Sequence, residues 1–164
     1  CDVMRTGIGI KIPFPADDVW RLAGGFDLLP TTSTATAISR LEQGGRLRVL
    51  VNRDGSVMWE KMLHFDDAAR SLSYEITDTK AFGGAYGPGY KGFVQVTPQG
   101  DKAALFHYSA DFEPAAGFSP DLAKAAVEAF ATDCAAGIAR ALAAGQPGCL
   151  RNSVSESFLF VFPE

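Results

Sequence analysis

Hydrophobic and polar positions follow two different periods along this chain. Residues 5–13 alternate between apolar and polar side chains, which predicts a half-buried β-strand. Pro15 then favours the start of a helix, and Asp17 suits the positive end of its dipole. Gly24 and its neighbour predict the end of that helix, and residues 26–30 predict a second short helical turn.

The middle of the chain returns to a period of two. Gly-Gly, Asp-Gly, Asp-Asp and Gln-Gly-Asp sequences separate the alternating runs, and these are residues that turns favour. Connections this short join antiparallel neighbours. Six further strands are therefore predicted, at 35–43, 46–52, 57–66, 71–78, 91–98 and 103–113.

The last element is a long helix. Ser119 can cap it, Pro120 suits its first position, and Gly145 and Pro147 end it. Its apolar stripe consists of Leu122, Val127, Phe130, Cys134, Ile138 and Leu142. Such a stripe needs one broad sheet to cover it.

The elements together predict an α+β fold with a curved, seven-stranded antiparallel sheet wrapped on a long C-terminal helix. Two short helices follow the first strand. Residues 1–144 are expected to form a single domain, and residues 145–164 a C-terminal tail.

Composition narrows the classes of function. A chain of 164 residues with 47% hydrophobic content is long enough to bury a core. Its net charge of −4 argues against nucleic acid or an anionic membrane surface as a partner. The longest apolar run falls well short of the roughly 18 residues that span a bilayer, so no membrane span is expected.

The number and spacing of the cysteines and histidines indicate the cellular location of the protein and whether it binds a metal. The three cysteines and two histidines show no zinc-binding spacing, so we expect no metal, no cofactor and no disulfide framework. A reducing, cytoplasmic location fits best. A processed lipoprotein anchored through Cys1 is the alternative.

Three segments together resemble a known superfamily. They are IPFPADDVWRLAGGFDLLP, then LEQGGRLRVL with DGSVMWEKMLHFDDAARSLSYEI, then SADFEP before the last helix. In order and spacing they resemble the polyketide cyclase/START-like (SRPBCC) superfamily. Its members share the helix-grip fold and include the birch-pollen allergen family, plant abscisic-acid receptors and aromatic polyketide cyclases. The resemblance covers about residues 5–144 and implies an apolar pocket between sheet and helix.

Glu60 is the first candidate for chemistry in such a pocket. It shares one face of its strand with Met58 and Met62, which favours an inward side chain. The alternative is an edge or solvent-facing Glu60, because the apolar residues on the opposite face of the strand compete to define the inner side. Its position also matches a pocket-facing Glu of the abscisic-acid receptors. A buried Glu60 would serve as a general acid or base, or as an anchor for a ligand hydroxyl.

Arg48 decides between these roles. A three-residue hairpin loop, Arg53-Asp54-Gly55, would place Arg48 opposite Glu60 and hold the carboxylate in its charged form. A two-residue Asp-Gly turn would shift the register by one and separate the two side chains. The sequence leaves both alternatives open.

Tyrosines supply the second set of candidates. The resemblance implies that Tyr90, Tyr74 and Ile76 line the pocket. Alternation along residues 105–113 points Tyr108 inward and His107 outward, so His107 is only a reserve base. A phenol offers both a stacking face and one directed hydrogen bond. The alternative for each tyrosine is a core residue with a satisfied hydroxyl.

The glycine-rich segment 80–92 contains Phe82 and Tyr86 as its apolar members. Its GxGxxG match precedes a strand, whereas a nucleotide-binding fingerprint follows one, so nucleotide binding is rejected. We interpret the segment as a gate over the pocket, the alternative being an ordinary hairpin loop. Helical spacing adds further residues to the pocket wall. They are Phe130, Cys134 and Ile138.

Two functions remain open at this stage. In the first, Glu60, Tyr90 and Tyr108 catalyse cyclisation or dehydration of an apolar, oxygenated, polyketide-like substrate by acid–base chemistry. In the second, the same pocket is a non-catalytic carrier or sensor of a lipid, sterol or aromatic compound. The alternating tail at 157–162 either docks on the domain or pairs with a partner's sheet edge, giving a homodimer.

Overall fold

Seven antiparallel strands form one sheet in the computed structural model, which describes residues 3–80 and 84–145. The order across the sheet is β1-β7-β6-β5-β4-β3-β2. The first strand therefore pairs with the last at one edge of the sheet, and β2 forms the other edge. The strands are β1 (Met4–Ile12), β2 (Thr36–Glu42), β3 (Leu47–Asn52), β4 (Val57–Asp66), β5 (Ser71–Lys80), β6 (Lys91–Pro98) and β7 (Ala104–Phe112). The predicted number and direction of the strands are confirmed.

Two short helices follow β1, also as predicted. Helix α1 spans Ala16–Ala23, with the fixed backbone of Pro15 directly before it. Helix α2 spans Leu29–Thr32 and begins three residues later than the predicted turn at 26–30. The shift places Pro30 in the first turn of α2, where its missing N–H leaves no hydrogen bond unmade.

Helix α3 spans Pro120–Ala144 and lies across the concave face of the sheet. The Ser119 hydroxyl caps it by accepting a hydrogen bond from the Leu122 backbone N–H at 3.2 Å. The predicted stripe is correct except at its first member. Leu122 is 58% exposed, because the buried stripe begins one position later, at Ala123.

Small residues let α3 approach its neighbours closely. Gly137 lies directly against the Thr32 carbonyl of α2. One turn earlier, Asp133 accepts hydrogen bonds from the side chains of Ser33 and Thr34, at 2.9 and 2.8 Å. These contacts hold the connection between α2 and β2 against α3. The end of the sheet beside this connection is where the cavity described below opens.

Some sequence predictions fall outside the described residues. These are the predictions for Phe82, for Cys1 and for the tail beyond Gly145, including its docking or dimerisation. Within the described ranges, no helix is both long and apolar enough to cross a bilayer.

Candidate functional site

A cavity of about 310 Å³ opens between the sheet, α2 and α3. The chain contains four tyrosines, and all four line this cavity. Glu60 is the one charged residue of its inner wall that is also buried, with 4% of its surface exposed. The cavity is lined by Leu29, Ala35, Thr36, Leu50, Asn52, Arg53, Asp54, Met58, Glu60, Tyr74, Tyr86, Tyr90, Tyr108 and Phe130.

The turn between β3 and β4 brings Arg48 opposite Glu60. Residues 53–55 form a three-residue loop, closed by a hydrogen bond from the Asn52 N–H to the Ser56 carbonyl. Gly55 has a φ of 91°, a left-handed conformation that glycine adopts without steric cost. This is the longer of the two turns that the sequence allows, and it sets the register in which Arg48 faces Glu60.

The two side chains form a buried ion pair. Glu60 Oε1 accepts a hydrogen bond from Arg48 Nε at 2.8 Å and lies 2.7 Å from Arg48 Nη2. Arg48 Nη1 donates to the Phe26 carbonyl at 3.2 Å, and the guanidinium lies over the rings of Phe26 and Tyr74. Arg48 therefore joins the α1–α2 connection, Glu60 and the tyrosine cluster.

The charge of Arg48 persists although the group is buried. Burial by itself lowers the pKa of the guanidinium, but the charge of Glu60, with smaller contributions from Tyr74 and Tyr108, outweighs it and leaves the pKa raised above the ordinary value. A guanidinium can only donate hydrogen bonds, and Arg48 donates one to Glu60 Oε1. Glu60 is therefore a hydrogen-bond acceptor in this site.

The second carboxylate oxygen of Glu60 faces a different environment. No hydrogen bond to Oε2 is found among residues 3–80 and 84–145, whereas Oε1 accepts one from Arg48 Nε and lies 2.7 Å from Nη2. Glu60 lines the 310 Å³ cavity, and Arg48 lines a smaller cavity behind it. Oε2 is thus the oxygen that a bound molecule can reach.

Three tyrosine hydroxyls form a chain with Tyr108 at its centre. The Tyr108 hydroxyl lies 2.6 Å from that of Tyr74 and 2.5 Å from that of Tyr90. Three hydroxyls contribute three protons, and the two bonds between them use two. One O–H of the three is left to donate to a bound molecule. Tyr86 stacks on Tyr90, with ring centroids 4.3 Å apart.

Two glycines explain how the chain places these rings. Gly92 lies beneath the ring of Tyr74, where an added Cβ would come within 2.7 Å of the hydroxyl oxygen. Tyr90 closes a turn by donating its N–H to the Gly87 carbonyl, with Pro88 and the left-handed Gly89 (φ 95°) between them. Proline followed by a left-handed glycine is typical of a type II turn, and here it delivers Tyr90 into the cavity.

Burial keeps all four phenols protonated. It raises the pKa of Tyr74, Tyr90 and Tyr108 well above the ordinary value, and the nearby charge of Glu60 adds to this for Tyr74 and Tyr90. The pKa of Tyr86 is raised to about 12, chiefly by burial. At neutral pH the cavity therefore presents neutral O–H donors beside the buried side chain of Glu60.

These pKa shifts predict how the protein responds to alkali. A phenol whose pKa is raised on folding adds stability that is complete below its unfolded pKa of about 10 and is lost as the pH rises further. We expect tyrosinate absorbance to appear in one step above pH 10, together with loss of the circular dichroism of the fold. Tyrosinate forming near pH 10 in a chain that stays folded would contradict the burial of these residues.

A second, smaller cavity of about 40 Å³ continues behind the first. Tyr74, Tyr108, Leu29 and Phe130 line both cavities and separate them. Cys134 lies in the wall of the smaller one, and burial raises the pKa of its thiol to about 12. A thiol of this kind is an apolar wall residue and not a nucleophile.

The structure brings together most of the predicted site residues. Glu60, Tyr90, Tyr108, Tyr74, Met58, Tyr86 and Phe130 line the larger cavity, and Arg48, Cys134 and Ile138 line the smaller one. Two predicted lining residues border neither cavity. Met62 packs half-buried against the core, and Ile76 is fully buried within the core.

The two histidines stand apart from the cavity. His107 lies on the opposite face of β7 from Tyr108, against Gly9, as alternation predicts. His64 is exposed near the β4–β5 turn. Among the described residues, no three His, Cys, Asp or Glu side chains are grouped so as to hold a metal ion.

The sequence analysis missed the entrance of the cavity. Ala35 and Thr36 at the start of β2 line it together with Asn52, Arg53 and Asp54 from the β3–β4 hairpin. A chain of hydrogen bonds runs from Thr36 to Asn52 and on to Ser56. The predicted strands at 35–43 and 46–52 placed the start of β2 beside this hairpin, but nothing in the sequence showed that the two together form the entrance.

Comparison with known proteins places this site in a family. Residues 7–143 match the family model described as "Polyketide cyclase / dehydrase and lipid transport". The chain belongs to this family. Membership confirms the superfamily and the helix-grip fold that the sequence motifs indicated. A search of the curated proteins finds no match.

Several solved structures share the fold of this polyketide cyclase/dehydrase family member. A putative uncharacterized protein from Bacillus thuringiensis is 28% identical, with a TM-score of 0.76 over 85% of this chain and 99% of that one. The protein XoxI from Bacillus cereus is 27% identical, with a TM-score of 0.75 over 84% of this chain and 94% of the other. A START superfamily protein from Mycobacterium smegmatis shares the fold alone, at 11% identity and a TM-score of 0.66, with 83% and 94% of the two chains covered.

Proposed function

We propose that this protein binds a small, largely apolar molecule carrying at least one oxygen in the tyrosine-lined cavity. The observation that carries the proposal is the convergence of all four tyrosines and the buried Glu60 on one cavity. Tyrosine rings offer apolar faces, and their hydroxyls and the carboxylate offer a small number of directed hydrogen bonds. That combination is typical of small-molecule sites.

The size of the cavity limits the ligand. At about 30 Å³ per water molecule, 310 Å³ corresponds to the volume of about ten waters. This suits a compound of one or two rings. The description of the family, as cyclases, dehydrases and lipid-transport proteins, supports a ligand of this apolar character.

Two methionines on the same strand face give a matched test of the binding site. Met58 lines the cavity, whereas Met62 is also half-buried but lines neither cavity. We expect Met58→Trp to fill the cavity and weaken binding of the two-ring ketone 2-tetralone about tenfold or more, and Met62→Trp to leave it nearly unchanged. Calorimetry would measure both, and equal effects of the two substitutions would contradict this site.

Acid–base chemistry on the bound molecule is a second candidate function. It is favoured by Glu60, which lines the same cavity as the tyrosine chain and whose Oε2 accepts no hydrogen bond from the described residues. In this mechanism Oε2 removes a proton from the carbon next to a ketone, and a tyrosine O–H donates a hydrogen bond to the enolate oxygen that forms. Enolates of this kind lead to ring closure or dehydration.

Exchange of hydrogen for deuterium next to the ketone of 2-tetralone tests this chemistry directly. We expect the protein to accelerate the exchange in D₂O and Glu60→Gln to reduce the acceleration about 10²-fold, the lower end for a general base, because Arg48 competes for the carboxylate. His107→Gln, on the outer face, is the control. Binding of 2-tetralone without any accelerated exchange would instead identify the protein as a carrier.

A further inference from the structure

We propose that the Arg48–Glu60 pair sets the chemical class of the ligand: the site selects neutral one- or two-ring compounds with a hydroxyl donor and rejects carboxylates of the same size. This inference rests on the proposed function, since it concerns the same cavity. It assigns Glu60 a second role, in which the carboxylate masks the positive charge of Arg48 from the ligand.

The hydrogen bonds of Arg48 leave no open cation in the inner wall. Nε donates to Glu60 Oε1 and Nη1 to the Phe26 carbonyl, while Nη2 lies 2.7 Å from the same Glu60 oxygen as an ion-pair contact. What the pair presents to the larger cavity is the free oxygen of Glu60. That oxygen accepts a hydrogen bond from a hydroxyl and repels a second carboxylate.

The other charged residues that line the larger cavity do not offer a bound carboxylate a free cation. Arg53 is the one cation that lines the larger cavity within the described part of the chain, and it lies at the exposed entrance next to Asp54. Its Nε already donates to the Thr34 carbonyl at 3.0 Å. An anionic group placed deep in the cavity would therefore meet Glu60 without a free cation to compensate it.

The tyrosines complete the selection for a hydroxylated ring. The remaining O–H of the Tyr74–Tyr108–Tyr90 chain supplies one donor, and burial keeps these phenols neutral. A ligand hydroxyl both donates and accepts, so it can give its proton to Glu60 Oε2 while accepting one from a tyrosine. A carboxylate can only accept.

Three two-ring probes of nearly equal size test the inference: naphthalene, 2-naphthol and 2-naphthoate. In the wild-type protein at pH 7 we expect 2-naphthol to bind about tenfold more tightly than naphthalene, and 2-naphthoate about tenfold more weakly than 2-naphthol or worse. Glu60→Gln should reverse the order of the two polar probes, because it removes the repelling oxygen and releases Arg48 to pair with the carboxylate.

A double variant covers the case in which Glu60→Gln does not fold. In Arg48→Met/Glu60→Gln both charges are gone, and we expect 2-naphthoate and 2-naphthol to bind within about threefold of each other. Equal affinities of these two probes for the wild-type protein, or a preference unchanged in both variants, would overturn the inference. Failure of all three probes to bind would instead count against the proposed function.

Discussion

Arg48→Met should lower the free energy of unfolding by about 3–5 kcal/mol, the usual effect of removing one partner of a buried ion pair. The variant leaves Glu60, 4% exposed, without the hydrogen bond and the ion-pair contact that Arg48 makes to Oε1. It also removes the donor to the Phe26 carbonyl and the cation that lies over two aromatic rings. Urea unfolding followed by circular dichroism would measure the change.

The matched control removes the whole pair. Replacing a buried ion pair with neutral groups of similar volume is often nearly neutral, so Arg48→Met/Glu60→Gln should recover most of the stability that Arg48→Met loses. The difference in the free energy of unfolding between the single and double variants measures the cost of the unpaired charge separately from the cost of lost packing. A double variant as unstable as Arg48→Met would show that Arg48 stabilises the fold mainly by packing on Phe26 and Tyr74.

Alternation along β7 identified Tyr108 as an inward residue, whereas for Glu60 it left two faces in competition and the family resemblance favoured the inward one. Tyr108 and Glu60 both lie on faces whose period-two neighbours are apolar, and both are buried. Because one face of this sheet packs on α3, a slip of one residue would expose a whole row of side chains. The pattern along β7 therefore determines which of its side chains point inward, and the sequence predicts that part of the site well.

Other features of the site depend on geometry that no local pattern encodes. Alternation could not decide between two hairpin turns, and so could not decide whether Arg48 meets Glu60. The contact of Arg48 with Phe26 joins residues 22 positions apart through the placement of α2. The hydroxyl chain and the volume of the cavity depend on how far the sheet curves around α3, which only the packed structure defines.

Predicted site residues that line no cavity also show what a local sequence pattern cannot predict. Ile76 and Met62 share a face with cavity residues, yet their places along the strands put them beyond the cavity wall. Leu122 fits the helical period but lies at the exposed edge of the stripe, where the sheet no longer covers α3. Periodicity fixes the direction of a side chain, and the ends of the neighbouring elements fix what it contacts.

Gly137→Ala should destabilise the protein by about 3 kcal/mol or more, although alanine is the better helix former. Helix propensity alone predicts a gain of about 1 kcal/mol from this change inside α3. An added Cβ, however, would collide with the Thr32 carbonyl of α2, a backbone group that cannot rotate away. Overpacking a close contact costs about 1–3 kcal/mol or more, and this obstacle places the cost at the upper end.

The consequence for the site follows from the position of α2. Leu29 of α2 lines both cavities, and Ser33, just beyond its end, is tied to Asp133 of α3. Pushing α2 away from α3 should therefore also weaken binding of 2-tetralone. Ala136→Gly, at the exposed neighbouring position, is the matched control and should cost only the propensity difference of about 1 kcal/mol with binding unchanged. A gain in stability from Gly137→Ala in urea unfolding would show that α2 is free to move, and the close contact would then have no part in holding the cavity open.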